Sequence, residues 1–151
     1  MEDQRDEELE GINEDYGLVP IDEEILTWAK NACRDIYDFL PMFFDIKIVM
    51  AKLEKGTLGK FRSETESSPI VILCPKNIKK SVKEQRVSME LAVLTTVYHE
   101  IGHAFYKLCI NSEVDVPADE EDFAEEFARS IWESGCLSYE TTELLSKIIP
   151  D

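Results

Sequence analysis

No apolar stretch of this 151-residue chain reaches the roughly 18 residues that a membrane-spanning helix needs. No basic segment leading into an apolar one opens it either, so a membrane or secreted protein is not expected. Cysteine is sparse and unpatterned. Cys33, Cys74, Cys109 and Cys136 stand far apart with no C-x-x-C, inside apolar runs where free thiols are usually buried. A disulfide framework is not expected, and a reducing cytoplasm is the natural setting. Basic residues are scarce: 16 Lys and Arg face 32 Asp and Glu, for a formal charge of −16. Ten of those net charges fall in residues 1–24, where eleven acids accompany one base, Arg5. Such a balance works against binding nucleic acid phosphates or anionic lipid, and an electropositive partner or simple solubility fits it better. There is no internal repeat. Histidine is scarce too, with two residues.

What is present reads as one globular domain. Hydrophobic residues make up 44 % and charged residues 32 %, ordinary for a chain that buries a core. Residues 1–18 are acidic and poor in large apolar groups, which predicts a flexible segment ahead of a single domain at 19–151. Val19-Pro20-Ile21-Asp22 reads as a helix entry, and Ile21, Ile25, Trp28, Ala29, Ala32, Ile36 and Leu40 recur at helical spacing until Pro41 ends the run. Residues 44–50 alternate as a strand, 58–61 suggest a short strand pairing back, and 62–68 read as a polar loop. Pro69-Ile70-Val71-Ile72-Leu73-Cys74-Pro75 is a continuous apolar run bracketed by prolines, consistent with a strand, followed by a basic connection or short irregular helix from Lys76 to Arg86. Ser88 is placed to cap a long apolar helix, and further helices are expected from 118 or 119 to 132 and after Ser138.

The long helix carries His99-Glu100-Ile101-Gly102-His103, an H-E-x-x-H pattern that uses both histidines of the chain. Residues four apart share a helix face, so the two imidazoles stand side by side as two ligands of a tetrahedral zinc, one ion per chain. Glu100, one residue further round, is placed to take a proton from attacking water without binding the metal. Catalytic zinc takes three protein ligands. With no third histidine, a carboxylate or Cys109 must supply the last. Cys109 falls at the spacing of the H-E-x-x-H-x-x-G-x-x-H class, but Tyr106 holds the place of its turning glycine. The richer source is 119–128, where six of ten residues are acidic. Glu121, Ala124, Glu125 and Ala128 share one face there. Glu121 suits the metal and Glu125 a histidine N–H, with Glu120 and Glu125 also open as the third ligand; Asp122 and Glu126 suit solvent.

Paired with Glu121-x-x-Ala124-x-x-Phe127-Ala128, the histidine motif resembles the gluzincin zinc metallopeptidases. Among them it is most similar to the compact ImmA/IrrE-type peptidases and the minigluzincins, with SprT-like proteases more distant. Their glutamate helix reads E-x-x-A-(N/D)-x-F-A; this chain carries Glu125 at the Asn/Asp place. The resemblance spans about residues 69–132. It implies an α+β zincin core, with a small, mostly antiparallel sheet packed on the H-E-x-x-H helix and the glutamate helix. It also implies a strand such as 69–74 lining the cleft, and a terminal segment able to block it, for which the acidic N-terminus is the candidate.

The expected activity is zinc-dependent hydrolysis of a protein or peptide substrate, with His99, His103 and Glu121 as ligands and Glu100 as general base. Tyr106, one turn beyond His103, is the nearest candidate donor to the oxyanion, a role that competes with simple burial of its phenol. The alternative is a catalytically silent zinc-binding regulatory module on the same core.

Overall fold

The computed structural model describes residues 2–62 and 69–148, so the polar loop expected at 62–68 falls, beyond Arg62, outside the described residues. In chain order these residues form α1 (Glu2–Asp15), α2 (Glu23–Phe39), β1 (Lys47–Met50), β2 (Gly59–Arg62), β3 (Ile70–Leu73), α3 (Pro75–Gln85), α4 (Met89–Asn111), α5 (Glu120–Ser134) and α6 (Tyr139–Ile148). The protein is α+β. No helix among the described residues is long and apolar enough to cross a membrane.

The sheet order is β1-β3-β2. β1 runs parallel to β3 and β2 antiparallel to it. The sheet is therefore mixed, not mostly antiparallel as expected, because β2 turns back onto β3 instead of onto β1. The alternation of β3 splits its burial between two faces. Val71 and Leu73, with Met50, join the main core against the helices. Ile70 and Ile72, with Val49 and Ala51, form a second apolar layer on the reverse face.

That reverse layer is closed by Ile12 of α1, which is fully buried. The acidic start, expected to be flexible, thus carries a helix whose one large apolar residue in this turn seats on the sheet. Asp15 pairs with Arg62 of β2 at 2.8 Å, and Leu18 bridges Ala51 just beyond β1. A lone isoleucine in an acidic run is a weak sequence signal, which is why the segment read as unstructured. Ile12 thus places α1 on the sheet face opposite the one that packs on the helices, and the ring centroid of Tyr16, just after α1, stands 5.3 Å from Lys60 Nζ.

Main-chain chemistry sets the helix ends. Ser88 Oγ accepts from Leu91 N at 3.0 Å and starts α4, and Gly135, at φ 67°, ends α5. Pro75 is the first residue of α3, a regular helix where an irregular one was expected. Asp22 caps α2 through Ile25 N at 3.0 Å and reaches Lys79 of α3 at 2.7 Å. The Lys79 ammonium, with the Ile25 amide, holds the Asp22 carboxyl below its ordinary value of 3.8. A depressed carboxylate contributes stability above the ordinary value and loses it as pH falls through the lowered one. Asp22→Ala is expected to cost about 1 kcal/mol at neutral pH. It should also flatten the acid limb of stability against pH below about 4, both read from urea melts.

α4 is the axis of the domain. It is buried around most of its girth, from Ala92 to Cys109, and it packs against α2, α3, α5, β2 and β3. Tyr98 donates to Asp35 of α2 at 2.6 Å. Its hydroxyl is held well above the usual phenol range by burial and then by that carboxylate.

Candidate metal centre

Two close approaches bring the site together. Gly59 opens β2 directly over α4, where an added Cβ would stand 2.7 Å from Thr96 Cγ2. Gly102 of α4 faces Ala124 of α5, where a Cβ would stand 3.0 Å from the Ala124 Cα. Small residues let α4 and α5 touch nearly backbone to backbone. Phe123 and Phe127 then pack around Phe105, with ring centroids 6.2 and 6.3 Å away. This contact fixes the rotation of α5 and turns Glu121 and Glu125 toward the histidines.

His99 and His103 are partly buried, with ring centroids 4.8 Å apart and planes at 76°. Their Nε2 atoms face each other at 3.2 Å. The Glu121 carboxylate spans them, Oε1 at 2.8 Å from His99 Nε2 and Oε2 at 3.1 Å from His103 Nε2. The outer nitrogens have their own partners. Glu125 Oε1 lies 3.2 Å from His99 Nδ1, and Glu120 Oε2 lies 2.6 Å from His103 Nδ1. With its proton on Nδ1, where a carboxylate stands to accept it, each ring leaves its Nε2 lone pair pointing inward at Glu121.

Three acceptors then converge with no donor among them, an arrangement that a cation resolves. A tetrahedral zinc with ligand bonds of about 2.0–2.1 Å sets its ligand atoms about 3.3 Å apart; the two Nε2 atoms stand at 3.2 Å, and each has one Glu121 oxygen at 2.8 or 3.1 Å. Taken one atom per residue, the His99, His103 and Glu121 groups lie within 4.8 Å of one another. The residues fit a zinc ion. Of the three acids left open by sequence, Glu121 alone reaches both inner nitrogens, while Glu120 and Glu125 sit where they orient the rings.

Glu100 and this cluster line one open cavity of about 520 Å³, walled on the far side by residues 56–60. Glu100 is 8 % exposed. Burial pushes its carboxyl up to about 7; His103 draws it down, Glu121 raises it and Lys60 lowers it.

Other sequence candidates fall elsewhere. Tyr106 donates its hydroxyl to the Pro117 carbonyl at 2.6 Å and packs its ring on Phe123. It does not line the cavity, because the chain leaving α4 folds back over it and takes its O–H. Cys109 is fully buried in the core, where desolvation pushes its thiol up to about 11. Asp122 and Glu126 are exposed, Glu126 pairing with Arg129 at 3.4 Å. β3, expected beside the cleft, is the central strand; the cavity wall is β2 and the turn before it. Sequence reasoning missed that wall. The pair of glycines at 56 and 59 was its one visible sign.

Comparison of the chain with protein-family profiles, with curated proteins and with solved structures finds no match. The likeness to gluzincins rests on the residues themselves.

Proposed function

We propose that this protein is a zinc-dependent metallopeptidase with a zincin-like core. The observation that carries the reading is the convergence of His99 Nε2, His103 Nε2 and the Glu121 carboxylate on one point, at 2.8–3.2 Å, in the cavity that Glu100 also lines. His99, His103 and Glu121 hold the ion, and Glu120 and Glu125 keep the imidazoles turned inward. When bound, zinc supplies Lewis acidity that makes water nucleophilic near neutral pH. Glu100 accepts the proton of the attacking water and returns it to the leaving nitrogen. β2 is an edge strand beside the cavity, and an edge strand offers backbone partners to an extended peptide.

Metal analysis of protein purified without added metal tests the site. About one zinc per chain is expected, with clear loss in Glu121→Ala. Casein or a peptide library should then be cleaved in a chelator-sensitive way by the parent. No zinc uptake from a stoichiometric supply rejects the proposal. One observation favours the silent zinc-binding module instead: Tyr106 commits its hydroxyl to Pro117, leaving the oxyanion without that donor. Tight zinc with no cleavage of any peptide would select that module.

A further inference from the structure

A second cavity, of about 840 Å³, lies on the far side of residues 53–57, between segment 19–22, the chain after β1 and the first turns of α3. No residue of the histidine cluster lines it. Its wall holds Lys52, Lys55, Lys76, Lys79 and Lys80, five of the eleven lysines in the chain, against a single acid, Asp22. Asp22 is committed to Lys79 at 2.7 Å, and Lys80 reaches Glu84 only at 3.8 Å. Among the described residues, Lys52, Lys55 and Lys76 have no carboxylate within ion-pair distance. All five side chains are exposed.

This is a local reversal of sign in a chain of −16. Charges further apart than about 8 Å are largely screened at physiological ionic strength, so the potential of the wall is set by its five lysines and by the acids beside them, Asp22, Glu24 and Glu84. Lysine is a compact, rotatable point charge that binds phosphate oxygens without fixed geometry, and five of them on one wall suit a small anion of high charge density better than a single carboxylate. Val19, Ile21 and Leu53 give the same cavity apolar surface, and its size falls in the range of about 300–1,000 Å³ that small molecules occupy.

We propose that this cavity binds a compact anion carrying two or more linked phosphate groups, a role separate from the metal centre. The bound anion draws the 52–55 lysines toward those of α3 and stiffens the chain between. Asn77 Nδ2 already ties that chain to α3, donating to the carbonyls of Glu54 at 2.8 Å and Thr57 at 2.9 Å. Residues 53 and 55 face this cavity, while 56 and 57 line the metal cleft. Occupancy therefore braces one wall of that cleft.

Calorimetric titration of the full chain with inorganic tripolyphosphate, at physiological ionic strength, tests the assignment. One saturable site is expected, with hydrogen exchange slowed at 52–57 and 74–80. Joint substitution of Lys52, Lys76 and Lys80 by alanine should weaken binding by about tenfold or more. Circular dichroism checks that this surface variant is folded. Joint substitution of the exposed Lys30, Lys107 and Lys147 by alanine should leave binding at the parent value, as should Glu121→Ala. Tighter binding of a nucleoside triphosphate than of tripolyphosphate would assign the apolar floor to a base and sugar; equal binding would assign the site to the phosphate chain. The proposal is overturned by any of four results: no saturable binding, equal weakening in both lysine variants, loss in Glu121→Ala, or a hexaglutamate peptide binding more tightly than the triphosphate.

Discussion

Glu100→Gln is expected to keep about one zinc per chain and to lower peptide hydrolysis by roughly 10²–10⁴-fold. The amide fills the volume of the carboxyl, and Glu100 is not among the groups that converge between the two Nε2 atoms, so metal binding should stand. What disappears is a proton acceptor on the cavity wall. In the metal-free protein the raised carboxyl, near 7, opposes folding as pH climbs from its ordinary value of 4.5. Glutamine abolishes that slope, and the variant should melt no lower than the parent at pH 8. A fluorogenic peptide assay beside metal analysis separates the roles. Undiminished hydrolysis would remove Glu100 from the chemistry, while loss of zinc would make it a ligand.

The second large effect comes from a residue that touches no substrate. Gly102→Val puts a branched side chain where even a Cβ meets the Ala124 Cα at 3.0 Å and Phe127 Cδ1 at 3.2 Å. Backbone cannot yield as a flexible side chain does, so α5 must move off α4. Overpacking of this kind costs about 3 kcal/mol, partly relieved because glycine is itself a poor helix former by about 1 kcal/mol. Glu121, Glu120 and Glu125 all ride on α5, so the shift withdraws the proposed third ligand and both proposed orienting acids together. Zinc affinity is expected to fall by about 100-fold or more, beyond the 10–100-fold typical of losing orienting partners alone. Parent-like affinity, measured by competition with a chromogenic chelator, would mean that the helix contact does not set the site.

The side-by-side placement of His99 and His103, with Glu100 next to them, was legible because helix spacing converts sequence distance directly into a shared face. The same regularity made α2, α4 and α5 readable, together with the cap at Ser88; that Asp22 caps α2 and leaves Ile21 outside it is seen only in the structure. Glu121 needed more. Six acids in ten residues share similar local signals, and the packing of Gly102 against Ala124 decides which one faces the imidazoles. Glu120 illustrates the limit: it lies one residue from Glu121, yet reaches the opposite nitrogen of His103. Strand pairing was the least legible part, since β2 could have turned onto either neighbour and its choice of β3 is a tertiary outcome. For Tyr106, helix spacing gives the face of the residue but not the loop that returns over its hydroxyl, which is why both the donor role and simple burial stood open.

All three proposed ligands lie between positions 99 and 121, and α5 packs chiefly on α4. An ion held there closes a loop of 22 residues. In chain-entropy accounting a covalent link of similar span restricts the unfolded chain by about 3 kcal/mol. The metal would thus be a fastener as well as a reagent. With it in place, α5 opens only when the domain does; without it, α5 is the segment free to open by itself, a difference that amide exchange along 120–134 would register.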